Sequence, residues 1–166
     1  MKLPHRPAAA TSYGRRHILL GLAGVLGGGA TIGQFRPVAA QNALPPIPQP
    51  NETTRASFMH RAFEMRELAS RSGDQAFGGV VVLHGRIVGQ AASAVIVRHD
   101  PTAHADIEAI RDAARRLGTR DLSGAELYVT SKPCPMCETA AYWANIARVY
   151  WGESATDAGA PRYPNC

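Results

Sequence analysis

The tightest constraint on this chain is "SKPCPMCETAA" (131 to 141), which sets Cys134 and Cys137 three positions apart behind a proline. The run before it, "AELYVTS" (125 to 131), is apolar and β-prone and reads as a strand. Pro135 suits the first turn of a following helix, where a missing N–H loses nothing, and i, i+3 spacing puts both sulfurs on one helical face. A cysteine pair at a strand-to-helix junction can be a metal clip, a thioredoxin-like redox couple or ordinary core. The third cysteine, Cys166, is the last residue. It is open as a free thiol, an intermolecular disulfide or a lid residue near the pair.

The surrounding periodicities give the setting. Residues 54 to 72 place Met59, Ala62, Phe63, Leu68 and Ala69 mostly on one helical face, with Gly73 as the stop. "FGGVVVL" (77 to 83), the turn "HG" and "RIVGQA" read as a hairpin, with a third extended piece expected in "SAVIV" (93 to 97). Ile107, Ile110, Ala114 and Leu117 recur at helical spacing up to Gly118. A third helix is expected from Cys134 to about Ala144 and a further strand in "RVYWG" (148 to 152). This order implies a three-layer α/β/α sandwich, a mixed central sheet with parallel βαβ units and helices on both faces.

In such a sheet, helix N-termini collect at the carboxyl ends of the strands, where ligands gather. His104 opens the second helix and the cysteines open the third, so the three can converge. The positive ends of the helix dipoles favour thiolate and neutral imidazole, the forms a metal binds. One nitrogen and two sulfurs suit zinc, one per chain, with a fourth position left for water.

At these residues the sequence resembles the zinc-dependent cytidine deaminase-like superfamily, whose signature is HxE followed by PCxxC. "HADIEAI" (104 to 110) and "PCPMC" (133 to 137) stand in those places. "FGGVVV" is similar to the superfamily's first strand, "DPTAHAD" (100 to 106) to its approach to the first ligand, and "LYVTSKPCPMCETAAYWANIARVYWG" to the stretch from third to fourth strand. "DPTAHA" and "YWA" look most like bacterial guanine deaminases and related purine deaminases. The resemblance implies zinc on His104, Cys134 and Cys137. Zinc there would draw the pKa of a water towards neutrality for attack on a ring carbon bearing an amine, with Asp106 as the proton-carrying carboxylate.

Three positions depart from the pattern. Asp106 stands where Glu is usual, a loss of about 1.5 Å of reach where proton transfer needs heavy atoms roughly 2.6 to 3.2 Å apart. Glu108 is no substitute, because two residues along a helix point to nearly opposite sides. Ser93 stands where a substrate-contacting Asn is common, seven residues before Asp100, and offers a shorter arm. Lys132 replaces the usual Glu before "PC". The longer relatives also continue past the fourth strand with residues that close the pocket, whereas 14 residues follow Gly152 here.

The charge of +5 lies at the front. Residues 1 to 40 hold Lys2, Arg6, Arg15, Arg16 and Arg36, five of the 18 basic residues, and none of the 13 acidic ones, which leaves 13 of each behind them. A neutral body offers no general footprint for a phosphate backbone, so nucleic acid is not expected as a partner. "YGRRHILLGLAGVLGGGATIG" sets paired arginines before a Gly-rich apolar run, and "PVAA" (37 to 40) supplies small residues for a signal peptidase. The pattern resembles a twin-arginine export signal, with an ordinary secretory signal as the rival; both imply export, to the periplasm. The apolar run is short of the about 20 residues of a stable span, so no membrane anchor is expected after cleavage.

The expected organisation is a signal peptide at 1 to 40, a proline-rich tether at 41 to 51 and one catalytic domain at 52 to 166. The expected function is zinc-dependent hydrolytic deamination of a small nucleobase or nucleoside, guanine or another purine first, by a homodimer. The rivals are a zinc-holding relative that has lost catalysis and a periplasmic thiol–disulfide protein using Cys134 and Cys137. His60, His84 and His99 read as surface or turn residues, and Tyr142, Trp143 and Trp151 as core or interface.

Overall fold

The computed structural model describes residues 44–163; the export signal, the proposed cleavage point and Cys166 lie outside the described residues. Helix α1 spans Arg55–Arg71. Thr54 and Ser57 form a reciprocal capping box at its start, and Gly73, at φ 78°, takes the left-handed turn just past its end. Strands β1 (Gly78–Leu83) and β2 (Arg86–Ala92) pair antiparallel across the turn His84-Gly85. Both turn residues have positive φ, which matches the twist of a two-residue hairpin.

Helix α2 (Ala105–Leu117) follows, with His104 as its N-cap and Gly118 as its left-handed stop. Strand β3 (Glu126–Val129) leads into α3 (Pro135–Trp143), whose N-cap is Cys134. Strands β4 (Arg148–Trp151) and β5 (Thr156–Gly159) close the domain. The sheet order is β2-β1-β3-β4-β5, with β3 and β4 parallel and every other neighbouring pair antiparallel. Strands β2 and β3 flank β1 and run the same way, so α2 and α3 both begin at one end of the sheet.

The sheet separates two apolar clusters, which makes the three layers. On one face Phe58, Met59 and Ala62 of α1 pack against Val80, Val82, Ile87, Tyr128 and Tyr150. On the other, Ala109, Ile110 and Ala113 of α2 and Ala141 of α3 pack against Val81, Leu127, Val129 and Val149. Each face has a glycine that admits a helix. A Cβ on Gly78 would collide with the backbone of Ala62 and Arg66, and one on Gly89 with Ala109 and Ala113. No other residue allows backbones so close.

Three expectations need revision. Residues 93–97 are not a strand: the chain turns from Val95 onward, and the amides of Ile96 and Val97 are taken by the Asp74 carboxylate. Strand β5 was not expected, since "TDAG" has no apolar alternation; it is held by pairing with β4 and by the Arg148–Asp157 ion pair at 2.5 Å. The described part of the proline-rich stretch is fastened to the domain. Gln49 brackets Ile87 with hydrogen bonds of 2.8 and 2.9 Å, Arg116 donates to the Pro45 carbonyl, and Ile47 packs on the α1 cluster.

Candidate metal centre

The two helix starts on the α2–α3 face carry the site. The first helical bond of α2 runs from the Glu108 amide to the His104 carbonyl and that of α3 from the Glu138 amide to the Cys134 carbonyl, both at 2.9 Å. Neither N-cap side chain caps a backbone amide of its helix, so the imidazole of His104 and the thiol of Cys134 are left for other partners. They point at each other. His104 Nδ1 lies 3.8 Å from Cys134 Sγ and 3.5 Å from Cys137 Sγ, and the two sulfurs are 3.5 Å apart.

These distances fit a tetrahedral zinc. Bonds of about 2.3 Å to sulfur and about 2.05 Å to nitrogen, at tetrahedral angles, separate two sulfurs by roughly 3.8 Å and a sulfur from a nitrogen by roughly 3.6 Å. Among the described residues, His104, Cys134 and Cys137 are the group of metal-ligating side chains that converges this way. Burial, with the Asp106 carboxylate and Cys134 close by, pushes the Cys137 thiol far up, so a metal binding here would have to displace its proton.

Asp106, at the second position of α2, is buried beside the ligands, and its Oδ1 has no hydrogen-bond partner among the described residues. Burial raises its carboxyl to about 6 against the opposing pull of its own backbone N–H, His104 and Cys137. A buried carboxylate oxygen left unpartnered next to three metal ligands is matched to a group that arrives with metal or substrate. Glu108 does face away, to Arg98 and Arg111 at 2.6 and 2.5 Å.

Ser93 is buried and donates to Asp74 Oδ1 at 2.8 Å. Its proton is committed there, and only its lone pairs remain for another partner. Lys132 is exposed and lines a groove of about 620 Å³ with Trp151, Arg162 and Tyr163. The groove borders the site through Pro133, but none of the three ligands nor Asp106 lines it. His84 and His99 occupy left-handed turns and His60 is exposed on α1, as expected. Trp143 is 64% exposed and forms an edge-packed group with Tyr142 and Tyr163, which excludes the core reading for it.

Sequence reasoning missed Asp74, which accepts bonds from Gln75, Ser93, Ile96 and Val97. Its signal in the sequence is faint: an acidic residue just after a helix-stopping glycine, whose partners apart from the adjacent Gln75 lie 19 or more positions away.

Residues 52–153 match the family described as the cytidine and deoxycytidylate deaminase zinc-binding region. The chain is 39% identical over 106 residues to a tRNA-specific adenosine deaminase of Agrobacterium fabrum, covering 64% of this chain and 70% of that protein. It is 43% identical over 82 residues to the guanine deaminase of Bacillus subtilis, covering 49% and 53%. The crystal structure of guanine deaminase from Bacillus subtilis superposes with a TM-score of 0.58 at 34% identity, over 61% of this chain and 68% of that one. The match thus spans between about half and about two thirds of these relatives' own lengths.

Proposed function

Because this chain belongs to the zinc-binding cytidine and deoxycytidylate deaminase family, we propose that it is a hydrolytic deaminase of a free nucleobase or nucleoside, purines first and guanine ahead of them. The observation that carries the reading is the convergence of His104, Cys134 and Cys137 beside a buried, half-unpartnered Asp106. The bound zinc supplies Lewis acidity that brings a water within reach of deprotonation near neutral pH. Asp106 would receive that proton and pass it to the ring nitrogen, then take the second proton from the hydroxyl added to the ring carbon and deliver it to the departing amine. Water adds to the ring carbon, the C–N bond breaks, and the products are an oxo base and ammonia. Ser93 is assigned the substrate contact, as an acceptor, since its proton is held by Asp74.

The preference for a small substrate over tRNA rests on the balanced charge of residues 41 to 166. The similarity to tRNA-specific adenosine deaminases favours a second reading, adenosine in RNA. One assay separates them: ammonia release from guanine, guanosine, adenine, adenosine, cytosine, cytidine and tRNA by the purified chain, with zinc quantified on the same sample. Turnover of guanine with one zinc per chain is the expected result. Turnover of tRNA alone overturns the small-molecule reading. Zinc without turnover on any of these points to a lapsed relative, and no zinc with an oxidised Cys134–Cys137 pair to a thiol–disulfide protein.

We also propose export to the periplasm, supported by Arg15, Arg16 and the apolar run that follows them. Amino-terminal sequencing of the secreted form is expected to begin at Gln41, and an intact Met1 in every cell fraction would refute export. A homodimer through α3 is supported by the exposed Tyr142 and Trp143. Trp143→Ala is expected to shift the sedimentation coefficient to the monomer's, and a monomeric parent chain would end that reading.

A further inference from the structure

The approach to His104 is a stretch with no regular structure, residues 93 to 103, that joins β2 to the metal-bearing start of α2. A stretch this long defines the place of its last residue only where something holds it. Two buried carboxylates do so. Asp74, just past the end of α1, accepts from Ser93 Oγ at 2.8 Å and from the amides of Ile96 at 2.8 Å and Val97 at 2.9 Å, besides its neighbour Gln75. Its own amide bonds to the Ala69 carbonyl, so it is part of the helix-end structure. Glu108 holds the next residue along, Arg98, at 2.6 Å.

The hold is passed on to the ligand. The amide of Ala94 donates to the carbonyl of Ala103 at 3.0 Å, and the amide of Ala103 donates to the carbonyl of Asp100 at 3.1 Å. Ala103 is fully buried and directly precedes His104. The chain thus runs from Asp74 through Ser93–Val97, across the Ala94–Ala103 bond, to His104. We infer that Asp74 is a positioning residue of the metal centre: by gathering the donors of Ser93, Ile96 and Val97 it holds the 93–103 loop and, through it, His104 against the two cysteines.

The inference concerns metal affinity and so stands apart from the proposed substrate. Asp74→Asn turns one acceptor into an NH2 group facing N–H or O–H donors, which leaves at least one buried donor unpaired. Partners behind metal ligands typically alter affinity by about 10- to 100-fold. Asp74→Asn is expected to lose about tenfold or more in zinc affinity, measured by chelator competition on the folded protein. The control is Met59→Ala, which opens a cavity on the α1 cluster and touches neither the loop nor the ligands.

If the control, at a similar loss of melting temperature, keeps its zinc affinity while Asp74→Asn does not, positioning is established. Equal losses in both, or affinity within about twofold of the parent in Asp74→Asn, overturn it. Should Asp74→Asn not fold, Ser93→Ala removes one donor and leaves both backbone donors in place. It is expected to weaken zinc about threefold, a share of the effect expected at Asp74, and unchanged affinity there sinks the inference.

Discussion

The three helices of this domain begin in two different ways. At α1, Thr54 and Ser57 give their side chains to the helix itself, each satisfying the other's exposed backbone amide. At α2 and α3, the N-cap residues His104 and Cys134 cap no backbone amide of their helices and turn their donor atoms toward one another. A capped end contributes about 1 kcal/mol of stability. An uncapped one leaves its ligand atom, and the positive end of the helix dipole, available to a metal. The difference teaches that stability and function are divided between the helix starts, and that the start of α1, at Thr54 and Ser57, can be altered without touching the chemistry.

The largest effect should come from the ligands. Cys137→Ala removes a sulfur that nothing nearby replaces, and zinc content by atomic spectroscopy should fall from one per chain to none; retained zinc would break the assignment of the α3 start. Asp106→Asn should lower ammonia release by about 10²- to 10⁴-fold with zinc still bound. Unchanged turnover would remove Asp106 from catalysis.

Next in size is Gly89→Ala, whose new methyl meets the backbone of Ala109 and the side chain of Ala113. Overpacking of this kind costs about 1 to 3 kcal/mol or more, read as a lower urea midpoint. A neutral result would mean that α2 can slide on β2 and that its N-terminus is not rigidly placed.

Acid should then separate the metal face from the α1 end. Burial pushes the Glu108 carboxyl up, but hydrogen bonds and charge from Arg111 and Arg98 outweigh it and hold it below the ordinary glutamate value. A depressed folded pKa stabilises above the unfolded value, about 4.3, and that stability is lost as pH falls through the folded one. The advantage of the parent over Glu108→Gln in urea unfolding should therefore hold at pH 6 to 7 and shrink below about pH 4. An advantage independent of pH would show that the ion pairs contribute nothing through charge. The smallest effect is Thr54→Ala, about 1 kcal/mol of stability with zinc affinity unchanged. A change in zinc affinity there would undo the division between the helix ends.

Much of this was legible because it is local. Helix ends are written in short-range chemistry: Gly73 and Gly118 as stops, Pro135 as a first-turn residue, and the i, i+3 spacing that brings Cys134 and Cys137 to one side. The errors were equally local in origin. "SAVIV" carries β-branched residues and was expected to be extended, yet Asp74 claims two of its amides; "TDAG" has no apolar alternation and pairs with β4 all the same. Partners outside a segment, whether a neighbouring strand or a carboxylate more than 20 residues away, leave no mark on the composition of the segment they capture.

By itself, the sequence determined which side chains are offered, a histidine and two cysteines at helix starts and an aspartate in the first turn, because residue type and helix phase depend on neighbours a few positions away. Only the tertiary structure decided that they meet. Residues 30 positions apart come to 3.8 Å because β2 and β3 run the same way on either side of β1, glycines let the helices settle on the sheet, and a buried carboxylate at the end of α1 holds the loop between. Those are long-range packing and hydrogen-bonding choices, and they are made by the whole fold at once.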